Sequence, residues 1–373
     1  MFLRIISPWG SLKMNKSKKI VIVGAKFGEL YLNAFIEPHP DLELAGIVST
    51  GSERSKQLAE AFGVPLFMNI SELPQDIDIA CVVIRASVIG GNGNLIVEDL
   101  LQRQIHVIQE HPVSINELNR HKTLAQKHGV QYRVNSFYGT TTAGRTLVLS
   151  TQSLRSQTLK NATYGNLTTS RQLLYSSLDL LLQSLGENVD LTPSLLGHQA
   201  HFDIVNLNSE QGDFLLQLQN YLDPQDPDMH SLAMHRIMLG WGNGYFSLTD
   251  SYGPVTWTPV LYANHHQSND QSLYQLSELP EGKYLNQRTT QTLYKNDSLV
   301  KDTFEDLGPE GVLYTLEQIS RAIDGKQIDQ AMTLEHQLKV AHLWEQILLL
   351  VGQPKERSIS PEIQVDIPLA EQI

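Results

Sequence analysis

In the first third of the chain, apolar residues fall into short β-branched runs separated by segments with helical spacing. Lys19 to Val23 predicts a strand, Gly28 to Ile36 a helix, Leu42 to Val48 a second strand and Ser55 to Phe62 a second helix. Asp76 to Arg85 (DIDIACVVIR) is apolar through its centre, as expected of a strand buried on both faces. Leu95 to Arg103 has helical spacing and Ile105 to Gln109 is strand-like. Leu118 to His128 and Gln131 to Asn135 add one more helix and strand. Strands alternating with helices predict an α/β domain built on a parallel, doubly wound sheet.

The alternation breaks at Asn135-Ser136-Phe137-Tyr138-Gly139. Beyond it come longer strand-like stretches, one early helix (Arg171 to Leu185), and turn signals at Asp223-Pro224, Asp226-Pro227 and Gly242-Asn243-Gly244. Leu232 to Thr258 alternates apolar and polar residues, the pattern of an antiparallel sheet with one covered face. An α+β second domain with an open, mainly antiparallel sheet is expected. Ile328 to Val351 carries Ala331, Leu334, Leu338, Ala341, Trp344, Leu348 and Val351 at helix spacing, which predicts one packed face. The expected division is an unstructured extension over residues 1–17, a nucleotide-binding domain over 18–139, an α+β domain for substrate and oligomerisation over 140–327, a helix over 328–352 and a loose tail over 353–373. Met14, followed by a lysine-rich run and the first strand, is an alternative start to Met1.

Composition narrows the function classes. The 373 residues are 41% apolar, enough for two packed domains, and the net charge of −12 argues against a nucleic-acid surface. No apolar run approaches the roughly 20 residues of a membrane helix, so no membrane role is expected and the cytoplasm is the expected location. Cys81 is the single cysteine and lies inside an apolar run, so a buried strand residue is expected rather than a nucleophile.

The segment Gly24-Ala25-Lys26-Phe27-Gly28 joins the first strand to the first helix as G-x-x-x-G, a departure from the dinucleotide fingerprint G-x-G-x-x-G. A glycine still permits the tight turn, and helix N–H groups still face a pyrophosphate. Alone, the loop does not separate a cofactor turn from a plain strand-to-helix turn. The second strand runs into Ser49-Thr50-Gly51-Ser52-Glu53-Arg54-Ser55, with no acid at its end to hold a ribose 2′-hydroxyl. Ser52, Arg54 and Ser55 suit a 2′-phosphate instead, which favours NADP (as NADPH) over NAD. The competing reading is a solvated turn in which Ser52 or Ser55 caps the second helix.

Gln109-Glu110-His111-Pro112 closes the strand that ends at Gln109. Ligands of doubly wound sheets bind beyond the carboxyl ends of the strands, so His111 is a candidate for chemistry. The alternative is a structural histidine bonded through one nitrogen to backbone. With the first strand and the phosphate-suited turn, this stretch resembles the Gfo/Idh/MocA oxidoreductases, in which a Rossmann domain precedes an open-sheet domain and Glu-Lys-Pro is usual at this position. The resemblance spans about residues 18–350. The blocks GAKFGELY, GSERSKQLA, IDIACVVIR, GGNG, IHVIQEHP, VNSFY, LYSSLD and GPVTWTP, in that order, are more narrowly similar to the thiazolinyl imide reductases of siderophore biosynthesis.

The resemblance implies specific departures. Sugar and polyol dehydrogenases of the broader family pair the motif lysine with an Asp and a His four residues apart on the first helix of the second domain. Here His111 replaces the lysine, and Gln172 and Ser176 fall where the Asp and His would be. Alcohol oxidation by that route is disfavoured. Reduction of a thiazoline C=N to a thiazolidine is implied instead, on a pantetheinyl thioester carried by a nonribosomal peptide synthetase domain. Such a reduction needs a proton donor for nitrogen. His111, with an ordinary pKa near neutrality, is the first candidate and Tyr138 the second, and the resemblance makes them the catalytic pair. Glu110 and Arg85 are expected near the cofactor together with Gly24, Ala25, Lys26, Phe27 and Gly28. A surface ion pair is the other reading of Arg85. The fold implies a homodimer. Another small carbonyl or imine as substrate, or a non-catalytic NADP-sensing module, are the competing functions.

The remaining features carry less. Gly90-Gly91-Asn92-Gly93 fits either close approach to a ligand or a flexible turn. His198 and His201, His230 and His235, and His265 and His266 match no metal-ligand motif, so no metal is expected. Trp241 and Trp257 are expected to pack in the second-domain sheet rather than wall a pocket.

Overall fold

The computed structural model describes residues 17–226, 230–261, 275 and 277–358. The expected N-terminal extension before Ser17 and the expected tail beyond residue 358 lie outside these, as do Pro227, His265 and His266. The chain forms two compact units, one of residues 1–137 with 299–334, the other of residues 138–298 with 335–373.

The first unit opens with β1 (Lys18–Val23), α1 (Gly28–Asn33), β2 (Leu42–Val48), α2 (Glu53–Phe62), β3 (Leu66–Phe67) and β4 (Ile79–Val82). It continues through α3 (Gly93–Gln102), β5 (His106–Glu110), α4 (Ile115–His128) and β6 (Tyr132–Asn135). The six strands pair in parallel in the order β3-β2-β1-β4-β5-β6, as the alternating pattern predicts. Register sets Val21 beside Ala80 and Ile22 beside Cys81, all fully buried, which is why these central strands read as unbroken apolar runs. Cys81 is a core residue, and burial pushes its thiol far above the usual range. Two helix starts carry their own signals. Ser52 caps α2 by accepting from Ser55 N–H, and Ser114 with Glu117 forms a capping box on α4.

The second unit runs through α5 (Thr142–Thr158), β7 (Tyr164–Ser170), α6 (Leu174–Leu185), β8 (Thr192–Gln199), β9 (Phe202–Asn208), β10 (Asp213–Gln219) and β11 (Tyr221–Leu222). Then follow β12 (Arg236–Trp241), β13 (Gly244–Leu248), β14 (Val255–Pro259) and β15 (Gln291–Tyr294). Eight strands make one sheet in the order β15-β14-β13-β12-β7-β10-β9-β8, antiparallel except where β10 meets β7. Within the stretch where alternation is expected, β13 shows it, with Phe246 and Leu248 buried and the residue before each half-buried. Trp241 is buried and donates to Lys160 O, and Phe246 packs against both Trp241 and Trp257, so the tryptophans are sheet packing.

The chain then returns to the first unit as α7 (Gly308–Ile323), which packs on α1, with Lys18 Nζ 2.8 Å from Asp324. It ends in the second unit with α8 (Leu334–Val351) and β16 (Lys355–Glu356), the latter paired with β11. Residues 299–327, which the sequence pattern groups with the second domain, therefore lie in the first unit. Two helices exceed the sequence expectation. In α5 the residues TAGRTLVLSTQSLRSQT are rich in Ser and Thr, poor helix formers that obscure the periodicity, and Gly308-Pro309 at the start of α7 resembles a turn although Pro is well placed there.

Candidate active site

The loop after β1 is built for close approach. Gly24 has φ +111°, a conformation that favours glycine, and a Cβ there would meet Val83 O at 2.7 Å. Ala25 is buried, while Lys26 and Phe27 are exposed, and Phe27 lies 6.2 Å, centroid to centroid, from Phe137. Helix α1 has only six residues, so its dipole is weak and its first N–H groups are its main asset. At the end of β2, Ser55 is fully buried and donates to Ser52 O at 2.7 Å. Ser52 and Ser55 thus serve the α2 cap. Arg54 is exposed and pairs with Glu29 of α1. A cationic fork therefore stands at the end of β2 beside the glycine loop, and loop, arginine and strand order fit a nicotinamide dinucleotide. When bound, that cofactor supplies the hydride.

At the end of β5 each residue of the motif has a distinct partner. Gln109 is fully buried and structural, donating to Asn94 Oδ1 and accepting from Tyr132, each at 2.7 Å. Glu110 accepts from the Tyr31 hydroxyl through one oxygen and lies 2.8 Å from His111 Nδ1 through the other. His111 Nδ1 is also 3.0 Å from Asn135 O. Both neighbours are acceptors, so Nδ1 carries a hydrogen. The network extends inward: Asn135 donates to Tyr31 at 2.6 Å, and Thr315 of α7 donates to Asn135 Oδ1 at 3.0 Å. Burial, reinforced by the Glu110 charge, pushes the Tyr31 phenol well above its ordinary range, so it remains a donor to Glu110.

Tyr138 starts the second unit, just ahead of α5, and is 6% exposed. Its carbonyl accepts from Thr141 Oγ1 at 2.9 Å, and a Cβ on Gly144 would stand 2.1 Å from that oxygen, so the backbone here is pinned. Its ring lies 4.1 Å from that of His235, centroid to centroid, and 6.0 Å from that of Tyr252, with which it shares a hydrogen bond. His235 in turn contacts Ser176 and Ser251, each at 2.8 Å. In the sequence His235 stands out only as one of several histidines that match no metal-ligand motif. Nothing local marks it, because its partners come from α6 and from the turn after β13.

Other candidates separate from these clusters. Arg85 is exposed and forms no ion pair among the described residues. A Cβ on Gly91 would meet Arg85 O at 1.8 Å and one on Gly93 would meet Ile84 O at 2.5 Å, so those glycines serve backbone packing. His198 pairs with Asp203 and His230 with Asp226. Among the described residues no three His, Cys, Asp or Glu side chains group as a metal site, and no helix is long and apolar enough to cross a membrane.

Residues 18–136 match the family described as "Oxidoreductase family, NAD-binding Rossmann fold" (Gfo/Idh/MocA), and residues 160–258 match "Thiazolinyl imine reductase Irp3-like, C-terminal". No curated protein matches the chain. Among solved structures, an oxidoreductase from Agrobacterium radiobacter in complex with NAD+, L-tartaric acid and magnesium is 12% identical, with TM-score 0.62, over 88% of this chain and 95% of that one. UDP-N-acetylglucosamine 3-dehydrogenase GnnA from Acidithiobacillus ferrooxidans is 14% identical (TM-score 0.61; 90% and 97%). A point mutant of KijD10, a 3-ketoreductase from Actinomadura kijaniata in complex with TDP-benzene and NADP, is 13% identical (TM-score 0.62; 91% and 99%). At these identities the structures establish a shared fold.

Proposed function

We propose that this chain, a nicotinamide-dependent oxidoreductase with a Gfo/Idh/MocA Rossmann domain and an Irp3-like C-terminal domain, uses NADPH to reduce a thiazoline C=N to a thiazolidine. The substrate is a siderophore intermediate held as a pantetheinyl thioester on a nonribosomal peptide synthetase carrier domain. The enzyme works in the cytoplasm as a homodimer. The match of residues 160–258 to the thiazolinyl imine reductase family is the observation that carries this reading. Histidine, where sugar dehydrogenases of the fold have lysine, and Ser176 on the helix that would supply their histidine support it.

Reduction delivers hydride to carbon and a proton to nitrogen, so the chain must supply an acid. His111 serves through Nε2, with Nδ1 held by Glu110 and Asn135 O. The carboxylate gives the protonated ring a charge partner, and Tyr31 and Asn135 fix that carboxylate in turn. Tyr138 is the second donor candidate. Gly24, Ala25, Lys26, Phe27 and Gly28 would border the pyrophosphate, and Arg54 would take the 2′-phosphate from the start of α2, which the cap formed by Ser52 and Ser55 holds in place in the stead of direct phosphate contacts by those serines; Arg85 and Glu110 would serve the nicotinamide end. To form that contact Arg54, which is paired with Glu29, would exchange the carboxylate for phosphate.

The test is oxidation of NADPH by wild-type protein with a hydroxyaryl-thiazolinyl thioester mimic, run beside nucleotide sugars and simple ketones. Turnover of the thiazoline alone is expected. Turnover confined to sugars would overturn the imine reading, and tight NADPH binding without turnover on any of them would indicate a sensing module. Arg54→Ala should raise the KM for NADPH by about 10- to 100-fold while sparing NADH, as expected for loss of a charge-assisted phosphate contact. Equal losses for both cofactors would remove the 2′-phosphate assignment.

A further inference from the structure

The second unit encloses a histidine that the reaction scheme above does not use. His235, immediately before β12, has no exposed surface, and neither have Ser176 of α6 and Ser251 after β13. Its Nε2 lies 2.8 Å from Ser176 Oγ and its Nδ1 2.8 Å from Ser251 Oγ. Ser176 has one hydroxyl hydrogen and gives it to Leu173 O at 3.0 Å. Its oxygen therefore accepts from Nε2–H, and Nδ1 is hydrogen-bonded to the Ser251 hydroxyl. Two anchors on opposite sides of a five-membered ring leave it no freedom to rotate, and its face is turned toward Tyr138.

Tyr138 meets that face at 4.1 Å between centroids with 35° between the planes. Its hydroxyl bonds Tyr252, itself 8% exposed, whose phenol burial pushes above the ordinary range. Ser251 directly precedes Tyr252, so a single turn presents both the anchor of the imidazole and the partner of the phenol. Asn296 Nδ2 donates to Tyr252 O at 2.9 Å and steadies that turn.

We infer that His235 is a positioning residue for Tyr138: a doubly anchored ring that sets the tilt of the phenol while Tyr252 sets the direction of its hydroxyl. The inference rests on the reading of Tyr138 as a proton donor. It assigns His235 no proton transfer. Its contribution is geometric, since a donor that must find its angle at each turnover loses the advantage of a prepared one.

Two measurements test it. In protein labelled with 3-fluorotyrosine, the resonance lost in Tyr138→Phe identifies Tyr138, and His235→Asn should shift and broaden that resonance in the absence of any substrate. In turnover, His235→Asn should lower kcat by about tenfold with little change in KM, and should add no further loss in a Tyr138→Phe background. An unmoved Tyr138 resonance, or an equal proportional loss of kcat in both backgrounds, would overturn the inference. Ser251→Ala removes one anchor at nearly constant volume and should reproduce a smaller version of both effects if His235→Asn does not fold. Should Tyr138→Phe keep full activity, the donor role of Tyr138 fails, while the fluorine resonance still decides whether His235 positions the ring.

Discussion

The two polar clusters, one at the end of β5 and one ahead of α5, solve different problems with the same residue types. In the first, a histidine stands 2.8 Å from a carboxylate that also accepts from a tyrosine. In the second, a histidine stands between two serine hydroxyls and under a tyrosine ring. A carboxylate offers the first ring a charge partner, whereas the second ring has only neutral hydroxyls at its two nitrogens. The contrast teaches that two buried imidazoles can differ chiefly in their partners, one beside a carboxylate and the other between hydroxyls. His111 is 7% exposed at its side chain and His235 is fully buried, a small difference beside that in their neighbours.

The sharpest way to break the comparison is to remove the charge from one side of it. Glu110→Gln keeps an acceptor near His111 but deletes the charge, and kcat should fall by about 10- to 100-fold, with the loss growing as pH rises and the ring is harder to keep protonated. Tyr31→Phe, which frees one carboxylate oxygen without touching His111, should cost about tenfold or less. Steady-state rates across pH check both. If Glu110→Gln were no worse than Tyr31→Phe, the carboxylate would be acting on the fold and not on His111.

A third histidine sharpens the comparison through stability. His121 on α4 is fully buried, with Nδ1 3.1 Å from the Tyr132 hydroxyl and Glu98 at 3.9 Å from Nε2. Burial pushes it down to about 4 from an ordinary 6.5, more than the Glu117 charge restores. The folded protein therefore resists protonation here while the unfolded chain accepts it. The associated stability is present above about pH 6.5 and declines as pH falls toward 4, by up to about 3 kcal/mol. Urea unfolding of wild type and His121→Gln over that range should show a shallower acid loss in the variant. Parallel curves would mean that His121 does not govern it.

The sequence made the first unit legible and the second only in part. Alternating β-branched runs and helix-spaced segments are local signals, so the parallel order and the place of His111 at the end of β5 follow from them. The helix α5 is masked by its Ser and Thr, and α7 returns to the first unit through a packing choice that no local pattern encodes. For the site, Gly24 is legible because its conformation demands glycine, and Ser52 because capping is local. His235 is not, since Ser176 lies 59 positions before it and Ser251 16 positions after. Glu110 reads as a cofactor contact from its position, and only the folded arrangement brings it to His111 and Tyr31.

The most direct test of the account is the single-turnover rate of thiazoline reduction by NADPH-loaded His111→Ala, with cofactor affinity measured in the same preparation. The account predicts a rate about 10² to 10⁴ below wild type with NADPH affinity preserved, because the variant lacks the acid and keeps the cofactor loop. A rate equal to wild type at the same NADPH affinity would contradict it.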